Sequence, residues 1–254
     1  MVNNQAGKIL ILSLHFLCVI FQTHAQRTTT VRPKAATVKI SFINTVKGMP
    51  LVLDSMEYTN PFNEIYTVSR LKYYISNISL NNPQKHFAEA GSYHLIDAAD
   101  SASLHFSFGA AANTYNSISF MVGVDSIKNV SGAQTGALDP SRGMFWTWNS
   151  GYIMFKLEGN STASSIFNHK IEYHIGGFAG KDNVVQLITI PLSSPLKLDA
   201  GKSSEIIITA DLDKIWHGTN ELKIAETPVT MSPGILSKKI ADNYNRMFSI
   251  KELK

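Results

Sequence analysis

The sequence predicts a mostly β protein, an antiparallel sandwich or barrel, with one C-terminal amphipathic helix. Three features carry that expectation. Short runs alternate apolar and polar residues, turn clusters separate them, and helical spacing occurs only after Pro233. The chain has 254 residues, 44% hydrophobic and 17% charged, which suits a sizeable core and not a disordered polymer.

The first element is a targeting signal. Lys8 precedes the apolar run Ile9–Phe21, which falls short of the roughly 20 residues a membrane span needs. Thr23-His24-Ala25 then supplies the small residues of a cleavage site, so residues 1–25 read as a signal peptide cut near Ala25. The single cysteine, Cys18, lies inside this segment without the small residue that a lipidation site places before it. Residues 26–254 are therefore thiol-free, which excludes disulfides, zinc–thiolate centres, iron–sulfur clusters and covalent c-type haem. The chain is expected in the periplasm or secreted, without a membrane span.

Residues 26–36 are polar and rich in Thr and Pro, and read as a linker. A single β domain is expected over residues 37–254. In Thr37–Thr45, Val38, Ile40 and Phe42 alternate with Lys39 and Ser41, the pattern of a half-buried strand. Comparable runs follow at 66–80, 92–96, 103–108, 117–124, 152–157, 171–175, 184–190 and 205–210, separated by turns such as Asn81-Asn82-Pro83. Over 234–248, Ile235, Leu236, Ile240, Tyr244 and Met247-Phe248 fall near i, i+4, i+8, behind Pro233-Gly234, which predicts the helix.

A formal charge of +4 with no run of Lys or Arg gives no reason to expect a nucleic-acid partner. No G-x-S-x-G elbow, P-loop, G-x-G-x-x-G or H-E-x-x-H occurs, so the chain is not expected to be an enzyme. Asp211-Leu212-Asp213 starts like a calcium loop, but Ile215 and Trp216 stand where an oxygen ligand and glycine belong.

The informative stretch runs from Val122 to Ser161. Its long Gly/Ser/Asp loop ends in Met144-Phe145-Trp146-Thr147-Trp148, too apolar to be left in water. In extended backbone Trp146 and Trp148 share a face. On residue types alone, they read as core anchors of the loop. Asp125 and Asp139 are expected to hold the loop by accepting backbone N–H groups. His174, beside Gly176-Gly177, reads by itself as a hydrogen-bonded structural histidine, and His94 and His105 as packed or surface residues.

The ordered string Leu71–Ile78 (LKYYISNI), Gly123–Ser126 (GVDS), Gly136–Pro140 (GALDP), Gly143–Tyr152 (GMFWTWNSGY), Leu157–Gly159 (LEG) and His174–Gly177 (HIGG) resembles the MbnP-like family. Ala241–Tyr244 and Met247-Phe248 match as well. The resemblance spans about Val38 to Phe248 and implies a secreted or periplasmic β-rich protein that binds copper. It implies a tryptophan oxidised to kynurenine, Trp146 or Trp148 with Trp148 favoured, by a partner di-haem tryptophan-modifying enzyme. By the same resemblance His174, Trp148 and Met231 are the metal residues. Asn44 and Met231 stand where histidine is expected in many members. Imidazole and thioether are suitable copper ligands, whereas the Asn44 amide is a poor one. The alternative is a module of the same fold that binds a non-metal ligand or a surface partner, with the tryptophans and the Gly-rich loop shaping an apolar pocket.

Overall fold

Alternation in the sequence becomes strands packed face to face. The computed structural model describes residues 34–147 and 151–254, together with Met1. The expected signal segment, with Lys8, Cys18 and Ala25, lies outside the described residues, as do most of the linker and Trp148. In chain order the strands are β1 (Ala36–Val46), β2 (Met49–Pro50), β3 (Tyr58–Thr59), β4 (Ile65–Asn81), β5 (His86–Ala88), β6 (Tyr93–Asp97), β7 (His105–Ala110) and β8 (Asn113–Val122). After helix α1 (Ser126–Val130) come β9 (Phe145–Thr147), β10 (Gly151–Ser161), β11 (Lys170–Gly176), β12 (Gln186–Leu198), β13 (Ser203–Asp211) and β14 (Val229–Thr230). Helix α2 (Ile235–Tyr244) and β15 (Phe248–Leu253) complete the described chain.

Two sheets form a sandwich and no barrel closes. The smaller sheet has the order β15-β13-β1-β2, with β7 also on β1. The larger runs β12-β8-β4-β10-β11-β14, with β3, β5 and β6 on β4 and β9 on β10. The sheets are mixed, not purely antiparallel: β1 pairs with β13 in parallel from Thr37↔Ser203 to Thr45↔Asp211, and β11 pairs with β14 in parallel. Periodicity assigns a residue to a face and says nothing about the direction of its partner strand. The expected linker ends one residue sooner than read, because Ala36 is already buried in β1.

Aromatic rings fill the space between the sheets. Phe42 of β1 meets Tyr73 of β4, Phe120 of β8 and Phe248 of β15 edge-on, at centroid distances of 6.1, 6.2 and 6.4 Å. Phe155 of β10 stacks between Tyr73, at 6.2 Å, and Tyr244 of α2, at 5.3 Å. These contacts fix the inner face of the large sheet as Tyr73, Phe155, Leu157, Ile171, Tyr173 and Ile175, all buried. Gly159 sits where β10 bends past β4; a Cβ there would come within 1.9 Å of the Thr67 carbonyl oxygen, so only glycine fits.

The C-terminal helix is present but shorter than expected, and it is not the last element. It ends at Tyr244, and Phe248 begins a strand that pairs with β13 at Ala210. Met247 and Phe248 lie close enough to i+4 spacing to mimic one more helical turn. The alternation Phe248, Ile250 belongs to the strand instead.

Candidate functional site

The long Gly/Ser/Asp loop folds as a cap over the outer face of the large sheet. Asp125 starts α1 by accepting the Lys128 amide at 3.1 Å, and also accepts from Asn77 Nδ2 at 3.3 Å and from the Tyr93 hydroxyl. Burial alone would raise the Asp125 carboxyl; hydrogen bonds from Tyr93, the Lys128 amide and Asn77 outweigh it and hold it below the ordinary carboxylate range. Asp139 accepts the Ser141 amide at 2.9 Å and so starts the short turn Pro140–Arg142. Buried Asn129 donates to the carbonyls of Val124 and Asp125 and accepts the Tyr152 amide at 2.8 Å, tying the cap to β10. Two tyrosine hydroxyls rising from the sheet finish the attachment, Tyr74 to the Ala137 carbonyl at 3.1 Å and Tyr152 to the Leu138 carbonyl at 2.7 Å.

Beside this cap the outer face turns polar. In register across the strands stand Asp97 of β6, Lys72 of β4, Lys156 of β10 and His174 of β11. One step along, Arg70, Glu158 and Glu172 form a second row. Glu158 joins the two: its Oε1 lies 2.8 Å from His174 Nε2 and its Oε2 accepts from Arg70 at 2.5 Å. His174 is only 8% exposed. Its burial lowers the imidazole pKa below the ordinary value; the hydrogen bond to Glu158 opposes the shift, and Lys156 adds to it. The ring is therefore neutral near pH 7, with the Nε2 hydrogen donated to the carboxylate.

The other expected site residues fall as follows. The β11–β14 ladder aligns Tyr173 with Thr230. That ladder stops at Thr230, and Met231, the next residue, lies beyond the strand and is 48% exposed. The Trp146 ring lies against Gly176, the next residue of β11 on the His174 face; a Cβ on Gly176 would come 2.4 Å from Trp146 Cζ3. Trp148 lies outside the described residues. Asn44 does not join this group, because it points into the sandwich, where Tyr73 donates to its Oδ1 at 2.8 Å. The sheet itself separates Asn44 from His174.

The remaining histidines are elsewhere. His94 stacks on Phe106 with centroids 3.5 Å apart and approaches Glu89 through Nε2 at 3.2 Å. His105 lines the same cavity as His94, together with Ala137 and Arg142 of the capping loop. Among the described residues no group of three or more His, Cys, Asp or Glu side chains is arranged to hold a metal ion. Sequence reasoning missed Glu158, Lys156, Lys72 and Arg70. Their signal was available: Arg70/Lys72 and Lys156/Glu158 are charged pairs two residues apart, inside strands that otherwise carry no charged residue.

Comparison with known proteins identifies the fold's kin. The MbnP family model matches residues 35–232, most of the chain. The chain belongs to the MbnP family. A solved structure of MbnP from Methylosinus trichosporium resembles it with a TM-score of 0.49 and 14% identity, over 74% of this chain and 80% of that one. No curated protein matches it in sequence. The family match ends just past Met231, so it takes in the capping loop, the polar rows and every candidate metal residue, and leaves α2 and β15 beyond it.

Proposed function

We propose that this member of the MbnP family is an exported copper-binding protein, acting by binding and not by catalysis. His174, Met231 and Trp148 are its metal residues, and Trp148 or its neighbour Trp146 is converted to kynurenine by a di-haem partner enzyme. The observation that supports it most is the setting of His174: a buried imidazole oriented by Glu158, with the Trp146 ring against Gly176 two residues further along the same strand. The donor chemistry fits copper: imidazole and thioether are soft enough, and neither needs to lose a proton near pH 7. With Nε2 donated to Glu158, His174 would ligate through Nδ1, and the carboxylate would fix the ring's orientation. Copper would supply a site for soft-ligand or electron chemistry; this chain's residues hold, orient and partly shield it. Residues 1–25 serve as the export signal, and no described helix is long and apolar enough to cross a membrane.

The test uses protein secreted by its native host. Copper titration should show one saturable site, weakened about tenfold or more in His174→Ala, the loss of one good ligand. Unchanged affinity in that variant would remove His174 from the site. Intact mass decides the modification separately, since kynurenine carries one more oxygen and one fewer carbon than tryptophan. An unmodified mass would remove the kynurenine and its partner enzyme, leaving copper binding to be judged by the titration.

A further inference from the structure

A second site lies under the edge of the cap. Arg70, Lys72 and Lys156 rise from the sheet, and Ser141, Arg142 and Gly143 of the capping loop close over them, around a cavity of about 280 Å³. Two features of this cavity are costly in an empty protein. Lys72 and Lys156 stand directly opposite each other on β4 and β10, a like-charge pair that weakens a sheet. Both are also largely out of water, with side chains 19% and 10% exposed. The three cations that rise from the sheet share two carboxylates, while Arg142 of the loop has Asp139 nearby: Asp97 lies 2.9 Å from Lys72, and Glu158 is already committed to Arg70 and His174. Lys156 reaches Glu158 only at 4.0 Å and gives its short hydrogen bond, 2.6 Å, to the neutral Gly143 carbonyl.

We propose that this cavity binds a small dianionic oxyanion, of the phosphate or dicarboxylate class. Such a ligand would accept from the unused N–H groups of Lys72 and Lys156, balance the excess positive charge, and draw on the Arg70 guanidinium at the rim. The inference does not depend on copper. It rests on the cation cluster and the cavity, which begin one strand away from His174 in the same row.

Calorimetric titration of the full metal-free chain with inorganic phosphate, and separately with succinate, tests it at low ionic strength. One saturable site is expected for at least one of the two anions, and which one binds names the class. Lys72→Met and Lys156→Met should each weaken it about tenfold or more, since each removes a charge-assisted hydrogen bond. Lys197→Met, at an exposed lysine on β12, should leave it unchanged. Thermal melts of each variant without ligand confirm that it folds. No saturable binding of either anion, or binding equally strong in both cavity variants, would overturn the proposal.

Discussion

The two faces of the large sheet are made by the same strands and do different work. On the inner face Tyr73, Phe155 and Tyr173 lock against the second sheet and α2, with the polar atoms they carry matched inside the protein. On the outer face the same strands carry Lys72, Lys156 and His174, half-dried under a loop and linked by charge. The inner face is held by burial, which is insensitive to pH and salt. The outer face is held by hydrogen bonds and ion pairs, which respond to both. A protein that binds something on this scaffold can alter the second face without unravelling the first.

Adjacent residues of β10 give the largest contrast. Phe155→Ala should cost about 3–5 kcal/mol in denaturant unfolding, because it empties a fully buried aromatic site. Lys156→Met, one residue on, should cost less, about 1–2 kcal/mol, because its charged bond to the Gly143 carbonyl is lost together with its repulsion of Lys72. Equal losses would mean that the cap and core form one energetic unit. Next, Asp125→Ala should cost about 1 kcal/mol, as the loss of a helix cap. Its effect should appear as faster hydrogen exchange at the Lys128 amide, with the Phe155 amide unaffected. The smallest effect is in pH. The folded His174 pKa lies below its ordinary 6.5, so the unfolded chain binds the extra proton more readily. That contribution is fully present above pH 6.5 and is lost as pH falls through 6.5 towards the folded value. His174→Gln should flatten this part of the stability profile, as measured by urea unfolding of the metal-free protein.

Much of this was legible in the residues. The expected long strands are all present, because alternation reports a half-buried face directly. Two places where alternation fails were also informative. Tyr73-Tyr74-Ile75 and Tyr152–Phe155 are unbroken apolar runs, and both lie where the cap covers the outer face, so both sides of the sheet are buried there. The export signal and Trp148 fall outside the described residues. His174 could be singled out from the sequence, but its environment could not. Glu158, Lys156 and Lys72 come from strands far apart in the chain, and only strand register brings them beside it. Asn44 shows the converse: it lies on a strand expected to be half-buried, and its inward direction removes it from the site. The strand β15 was hidden because Met247-Phe248 satisfies helical and strand spacing alike.

The parallel pairing of β1 with β13 sets an order of assembly. One side of β1 can be satisfied by β7 and β2 once the first half of the chain exists, but its other side waits for residues 203–211. The second half of the small sheet therefore closes only after almost the entire chain is available, and contacts this distant in sequence form slowly. Until then the first strand made offers an open edge to any neighbouring chain. A chain that emerges from one end has its greatest risk of mispairing at the strand it produces first.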